Sequence, residues 1–269
     1  MNYRIGYFIL FWLITCYSFS QIPLPGSHAH NDYMNDRPLM DALDLGFTSI
    51  EIDVCLYKNS LRVSHNPVFL SLKHTLQELY LDPLVRRIEQ NGGTVYAGYD
   101  VPLVLMIDLK GDGRKSYPVL REVLKPYKHL LTVYRNDSVI SGPLQINISG
   151  SAPVQLIRDE AERWVTVDGS VSRDLDPEIS PMVVQRVSSP YHRFFKWKGI
   201  GKQPLKEKEL MDSLANKARL QQKELRFYAT GNNVKIWQAL LDAGVYWINV
   251  DDLRKFYDFR LNYWRQNNR

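Results

Sequence analysis

From Gly26 to Tyr33 the chain reads Gly-Ser-His-Ala-His-Asn-Asp-Tyr, placing two of its six histidines, an asparagine and an aspartate within five residues. Two histidines spaced by one residue suit a zinc clamp, half of an acid/base pair, or a polar loop without chemistry. Further reactive types recur downstream. Glu51 and Asp53 stand two apart in the apolar run Ser49-Ile50-Glu51-Ile52-Asp53-Val54-Cys55-Leu56. A strand there turns both carboxylates to one face. His65 closes Leu61-Arg62-Val63-Ser64-His65, and Asp108 and Lys110 close the apolar run that begins at Pro102. Taken singly, each has a plain reading: an edge-strand acid, a strand-end ion pair, a structural histidine. Their joint recurrence at strand ends argues for a site. Carboxylates in an apolar strand are costly unless a cation or hydrogen bonds compensate them. Glu51, Asp53 and Asp108 together would form an oxygen-rich site suited to Mg²⁺ or Ca²⁺.

Such residues need a scaffold that presents strand ends side by side. After residue 21, short apolar runs alternate with helical stretches. Strands are expected at Ser49–Leu56, Leu61–Ser64, Pro102–Lys110, Leu130–Tyr134, Leu144–Ser149, Trp164–Val167, Met182–Val187, Leu225–Ala229 and Tyr246–Val250. Helices are expected near 38–45, 75–90, 116–128, 154–162, 205–222 and 234–242, several of them stopped by glycine. Strands alternating with helices imply a parallel sheet. About eight such units in a chain of this length suggest a single-domain α/β (β/α)₈ TIM barrel. A doubly wound open sheet is the alternative.

The first twenty residues differ from the rest. Arg4 is followed by an apolar run from Ile5 to Cys16 and by small residues at Ser18 and Ser20. This pattern is expected to be a secretory signal cut after Ser20, leaving one domain over residues 21–269 of a secreted or periplasmic protein. A lipoprotein signal ending at Cys16 is the alternative, though threonine before the cysteine fits it poorly. The cut chain would keep only Cys55, expected to be a buried, inert thiol. The formal net charge of +5 favours phosphate-bearing or carboxylate substrates, or an anionic membrane face.

Pro25–Asp32, Gly46–Leu56, Leu61–His65 and Leu105–Lys110 resemble the phosphatidylinositol-specific phospholipase C and glycerophosphodiester phosphodiesterase superfamily. The similar branch opens with a His-Ser/Ala-His-Asn-Asp-Tyr block. Arg226–Leu253 resembles that branch's last two strands. The blocks His-Arg-Gly and Glu-Asn-Thr, usual in the glycerophosphodiesterase branch, are missing here. The resemblance implies a phosphoric diester hydrolase acting on a small-molecule or lipid phosphodiester, which the expected signal would export. It implies Glu51, Asp53 and Asp108 as ligands of a divalent cation, Mg²⁺ or Ca²⁺. It implies His28 and His65 as the acid/base pair, with His30, Asn31 and Lys110 binding substrate. Peripheral membrane contact is expected and nucleic acid is not. Two other readings stand beside it: a zinc-dependent amidohydrolase-like barrel using His28 and His30, and a barrel that binds phospholipid headgroups or sugars without turnover. Tyr191–Lys202 and Phe256–Trp264, basic and rich in aromatics, would serve a membrane or ligand surface in that last reading, or simply pack in the core.

Overall fold

The computed structural model describes residues 21–135 and 138–267. The expected signal segment, with Arg4 and Cys16, lies outside the described residues.

Eight parallel strands form the centre: β1 Leu24–Ala29, β2 Phe47–Tyr57, β3 Leu103–Lys110, β4 Leu144–Gly150, β5 Val165–Ser170, β6 Arg186–Pro190, β7 Glu224–Tyr228 and β8 Trp247–Val250. Each pairs with its neighbours in chain order, and β1 pairs with both β8 and β2, so the sheet closes on itself. Among the described residues one α-helix follows each strand: α1 Met40–Asp44, α2 Asp82–Gln90, α3 Gly113–Leu124, α4 Val154–Arg158, α5 Val171–Asp174, α6 Leu205–Leu220, α7 Val234–Asp242 and α8 Leu253–Asn267. This is the (β/α)₈ TIM barrel, in which strand carboxyl ends and the loops after them build sites.

β2 shows how the sequence makes a barrel stave. Its alternate residues Ile50, Ile52 and Val54 are fully buried in the hydrophobic core. The intervening Ser49, Glu51 and Asp53 are buried polar groups, which alternation sends to the other face, the barrel interior. In register, Asp53 lies opposite Asp108 of β3, and Asp108 lies opposite Ser149 of β4. A short strand, Ser60–Val63, pairs antiparallel with the end of β2. It carries the chain back to the mouth, where the Ser64 N–H donates to the Asp53 carbonyl at 3.0 Å.

The structure departs from the sequence expectation in several places. The strand expected at Met182–Val187 is Arg186–Pro190. The run expected at Leu130–Tyr134 is no stave; Val133–Arg135 joins Ser138–Ile140 and Glu162–Arg163 in a small three-stranded sheet. Helix α5 is a single short turn that periodicity does not reveal. Helix α8 spans the stretch read for its aromatics and basic residues. Phe256 and Phe259 are buried, with rings 5.1 and 5.7 Å from that of Trp237 on α7. Tyr191 and Phe195 are likewise buried, and the Phe195 ring lies 5.1 Å from that of Phe227. One face of each aromatic stretch is therefore core.

Candidate active site

The mouth of the barrel holds a polar cavity of about 520 Å³. Its acidic floor comes from β2 and β3. Glu51, Asp53 and Asp108 each offer a carboxylate oxygen, and those atoms lie within 4.8 Å of one another. The three are held differently. Asp53 Oδ2 accepts from the Tyr33 hydroxyl at 2.9 Å, lies 3.1 Å from Lys110 Nζ and 2.6 Å from His65 Nδ1. Asp53 Oδ1 is buried without a hydrogen-bond partner. Asp108 Oδ1 also lacks a hydrogen bond, although Lys110 Nζ stands 3.1 Å away. Two orphaned carboxylate oxygens on a floor of three acids are the donor set a hard divalent cation takes. The residues therefore fit such an ion.

Two histidines flank this floor. His65 contacts it through Asp53 and is largely exposed. His30 Nε2 lies 3.7 Å from Glu51 Oε1, and its Nδ1 is 2.7 Å from Asp251 Oδ1 in the loop after β8. Burial works against the charged ring of His30, but the Asp251 and Glu51 carboxylates outweigh it and raise its pKa. Both histidines line the cavity, with Asn31, Glu51, Asp108 and Lys110. Asn31 reaches its place through a left-handed backbone, φ 49° and ψ 45°, which asparagine tolerates better than most residues.

His28 does not share that mouth, contrary to expectation. Its side chain is fully buried on β1, one layer below His30. Nδ1 lies 2.8 Å from Ser49 Oγ and 3.3 Å from Arg186 Nη1. Nε2 lies 2.8 Å from Glu51 Oε2 and 2.7 Å from Arg226 Nη1. A neutral imidazole serves these in one of two ways. With its proton on Nε2 it donates to Glu51; with the proton on Nδ1 it donates to Ser49 and accepts from Arg226. Burial, then the Arg226 and Arg186 guanidiniums, holds its pKa well below the usual histidine range. Ser49, Glu51 and Arg226 engage both ring nitrogens of the buried His28, which leaves none for the zinc of the amidohydrolase-like reading.

Beneath the floor is a buried charge network that the sequence analysis missed. The Arg226 guanidinium donates to Glu51 Oε2 at 3.0 Å, while Arg186 lies over the Trp247 ring at 4.3 Å. Burial pushes the Glu51 carboxyl upward, but Arg226 and His28 together pull it well below the carboxylate range. Burial lowers Arg186 to about 10. Asp168, held by the Ser188 hydroxyl at 2.7 Å, is pushed up by burial despite both arginines. Asp251, which orients His30, was also missed. Its signal lay in the alternation of Asn249-Val250-Asp251 at the end of β8. Arg186 and Arg226 gave none, since one arginine in a short strand reads as an exposed edge.

The closed barrel gathers three acids and two histidines at its mouth, and sequence comparison shows the family it belongs to. The AIM6-like phosphodiesterase domain model matches residues 19–168. The chain belongs to this family and carries a phosphodiesterase-like domain. A relative from Arthroderma benhamiae, Altered inheritance of mitochondria protein 6 homolog, is 28% identical over 86% of this chain and 82% of its own length. Altered inheritance of mitochondria protein 6 from Eremothecium gossypii is 30% identical over 84% of this chain and 67% of its own. The crystal structure of glycerophosphodiester phosphodiesterase from Agrobacterium tumefaciens str. C58 is similar with a TM-score of 0.48 and 13% identity, covering 87% of this chain and 97% of that one. The expectation of a secreted or periplasmic protein is corrected by these relatives, whose names tie them to inheritance of mitochondria. Among the described residues no helix is long and apolar enough to cross a membrane.

Proposed function

We propose that the protein is a divalent-cation-dependent phosphodiesterase, with Glu51, Asp53 and Asp108 holding the ion and His30 and His65 moving protons. The observation that carries this reading is the acid floor with its orphaned oxygens, flanked by two imidazoles that face the same cavity. When bound, a divalent cation supplies positive charge against the phosphate oxygens. The chain's own residues do the rest. One histidine takes a proton from water as the water oxygen bonds to phosphorus. The other gives a proton to the departing alkoxide as the P–O ester bond breaks, so a diester and water yield a monoester and an alcohol. His30 suits the donating half, because Asp251 fixes its ring and favours its protonated form. Lys110, between Asp53 and Asp108, adds a cation at the edge of the phosphate position. Asn31 lines the same cavity as a further polar contact.

His28 takes a supporting role in this scheme. It lies between Ser49 and Glu51 under the floor and sets the height and rotamer of the Glu51 carboxylate. Hydrolysis of a generic aryl phosphodiester tests the proposal. Turnover is expected with Mg²⁺ or Ca²⁺ and is expected to stop in excess chelator. Equal turnover with and without chelator would overturn the ion's role, and no turnover under any condition would favour the binding-only reading.

A further inference from the structure

Asp32 and Tyr33 close the block Gly26–Tyr33 with which the site begins, and the reaction proposed above uses neither. Both side chains nevertheless turn inward. Asp32 is fully buried, and Tyr33 is half-buried against the core.

Asp32 fastens the loop that carries its neighbour. Its Oδ2 accepts from the Leu39 N–H at 2.6 Å and from the Tyr80 hydroxyl at 2.9 Å, and its Oδ1 accepts from the Asn35 side chain at 3.2 Å. Tyr80 is itself fully buried, in the single π-helical turn Gln77–Leu81 that leads into α2. The loop is left-handed at both ends, Asn31 at φ 49° and Leu39 at φ 67°. Such conformations in non-glycine residues cost energy and persist only where the surroundings fix them. Three donors on one buried carboxylate supply that fixing, so the loop delivers Tyr33 to a defined place.

There the Tyr33 hydroxyl donates to Asp53 Oδ2 at 2.9 Å, with Asn31 Oδ1 a longer second neighbour at 3.3 Å. A phenol is a neutral donor at pH 7, and its bond to a carboxylate is charge-assisted. Asp53 Oδ2 has two other neighbours, His65 Nδ1 at 2.6 Å and Lys110 Nζ at 3.1 Å. Both of those line the polar cavity and act on substrate in the proposed reaction. Tyr33 does not line that cavity, so its bond to Asp53 is the one that persists when His65 and Lys110 engage substrate. The consequence falls on the opposite oxygen. With Oδ2 held, the carboxylate plane is fixed, and Oδ1, buried without a partner, is the atom left for a cation. Glu51 is divided in a similar way: Oε2 meets His28 and Arg226, and Oε1 is the oxygen on the His30 side.

We propose that Tyr33 is a positioning residue of the ion site, whose hydroxyl holds Asp53 Oδ2 and thereby presents Oδ1 to the divalent cation. This rests on the ion-dependent reading of the same acid floor and adds to it a residue from outside the cavity.

The variant Tyr33→Phe keeps the ring and removes only the hydroxyl. Calorimetric titration with Mg²⁺ and with Ca²⁺, on wild type and variant, reads ion affinity without any substrate. Affinity for the ion that the wild type binds is expected to fall about 10- to 100-fold, as when hydrogen-bond partners of metal ligands are removed. At saturating ion the kcat for an aryl phosphodiester is expected to match that of the wild type, because a residue that only positions a ligand is bypassed once the site is filled. Unchanged ion affinity in the variant would overturn the inference, even with a lowered Tm, since the hydroxyl would then be structural alone. Ion-dependent turnover by the wild type would in that case leave the broader reading standing. A loss of kcat of about 10²-fold that saturating ion does not restore would also overturn it, by making Tyr33 a group that moves a proton. A wild type that binds neither ion would remove the inference and the ion-dependent reading together.

Discussion

His28 lies on β1 and His30 just past its end, two residues apart and facing the same side, yet the rise between them of about 7 Å puts one in the buried layer and the other at the mouth. That difference in depth decides their chemistry. His30→Asn should lower phosphodiester turnover by about 10²-fold or more, as loss of a general acid or base does, with divalent-ion affinity retained. His28→Leu leaves Ser49, Glu51 and two guanidiniums short of a buried partner. It should cost roughly 1–3 kcal/mol of stability, read as a fall in Tm of several degrees. Turnover that survives in His30→Asn and vanishes in a fully stable His28→Leu would reverse the assignment. Period-two spacing inside apolar runs made the acids legible from sequence. The depth of a histidine was not legible, because it depends on where β1 ends and on the register His28 takes with Ser49 and Asn249. Arg186 and Arg226 stayed hidden for a related reason: their partners lie more than a hundred residues away along the chain.

The strands that carry the site also limit what may stand beside it. β4 ends at Gly150, whose backbone is left-handed at φ +66°. A Cβ at that position would lie 2.2 Å from Asp108 Oδ1 and 2.7 Å from the Leu109 carbonyl oxygen. Glycine there supplies both the turn and the room for the Asp108 carboxylate to stay in the acid cluster. Gly150→Ala should strain the backbone, costing roughly 1 kcal/mol or more. It should also displace Asp108 and weaken Mg²⁺ or Ca²⁺ affinity by about tenfold or more, as measured by titration calorimetry. Unchanged affinity in a folded variant would show that Asp108 is not part of the ion site. Long, buried elements such as β2, β3 and α7 were readable because their periodicity runs for several residues. β6 was displaced in the reading because Met182, Val183 and Val184 supply an apolar run just before it. α8 was missed because its buried face, Phe256 and Phe259, is interleaved with arginines and tyrosines that mask the stripe.

At the scale of the whole barrel, the fold gathers charge that it only partly neutralises. Glu51, Asp53 and Asp108 converge on one floor, with Lys110 and Arg226 as the cations in contact with them. Burial, with Asp53 and Glu51 adding to it, raises the Asp108 carboxyl even though Lys110 is beside it. Removing water from three facing carboxylates with two cations leaves repulsion that a bound divalent ion relieves. The ion binds the folded state and finds no such cluster in the unfolded chain, so it must raise stability. At a concentration about a hundredfold above its dissociation constant the gain is about 2.7 kcal/mol. For a domain of this size that corresponds to a rise in Tm of about 5–10 °C. Calorimetric unfolding with Mg²⁺ or Ca²⁺ against excess chelator measures it directly. Asp53→Asn should remove most of that response, because it replaces the carboxylate whose Oδ1 has no other partner. A melting temperature indifferent to both ions in the wild type would mean that the acid floor is neutralised from within the chain.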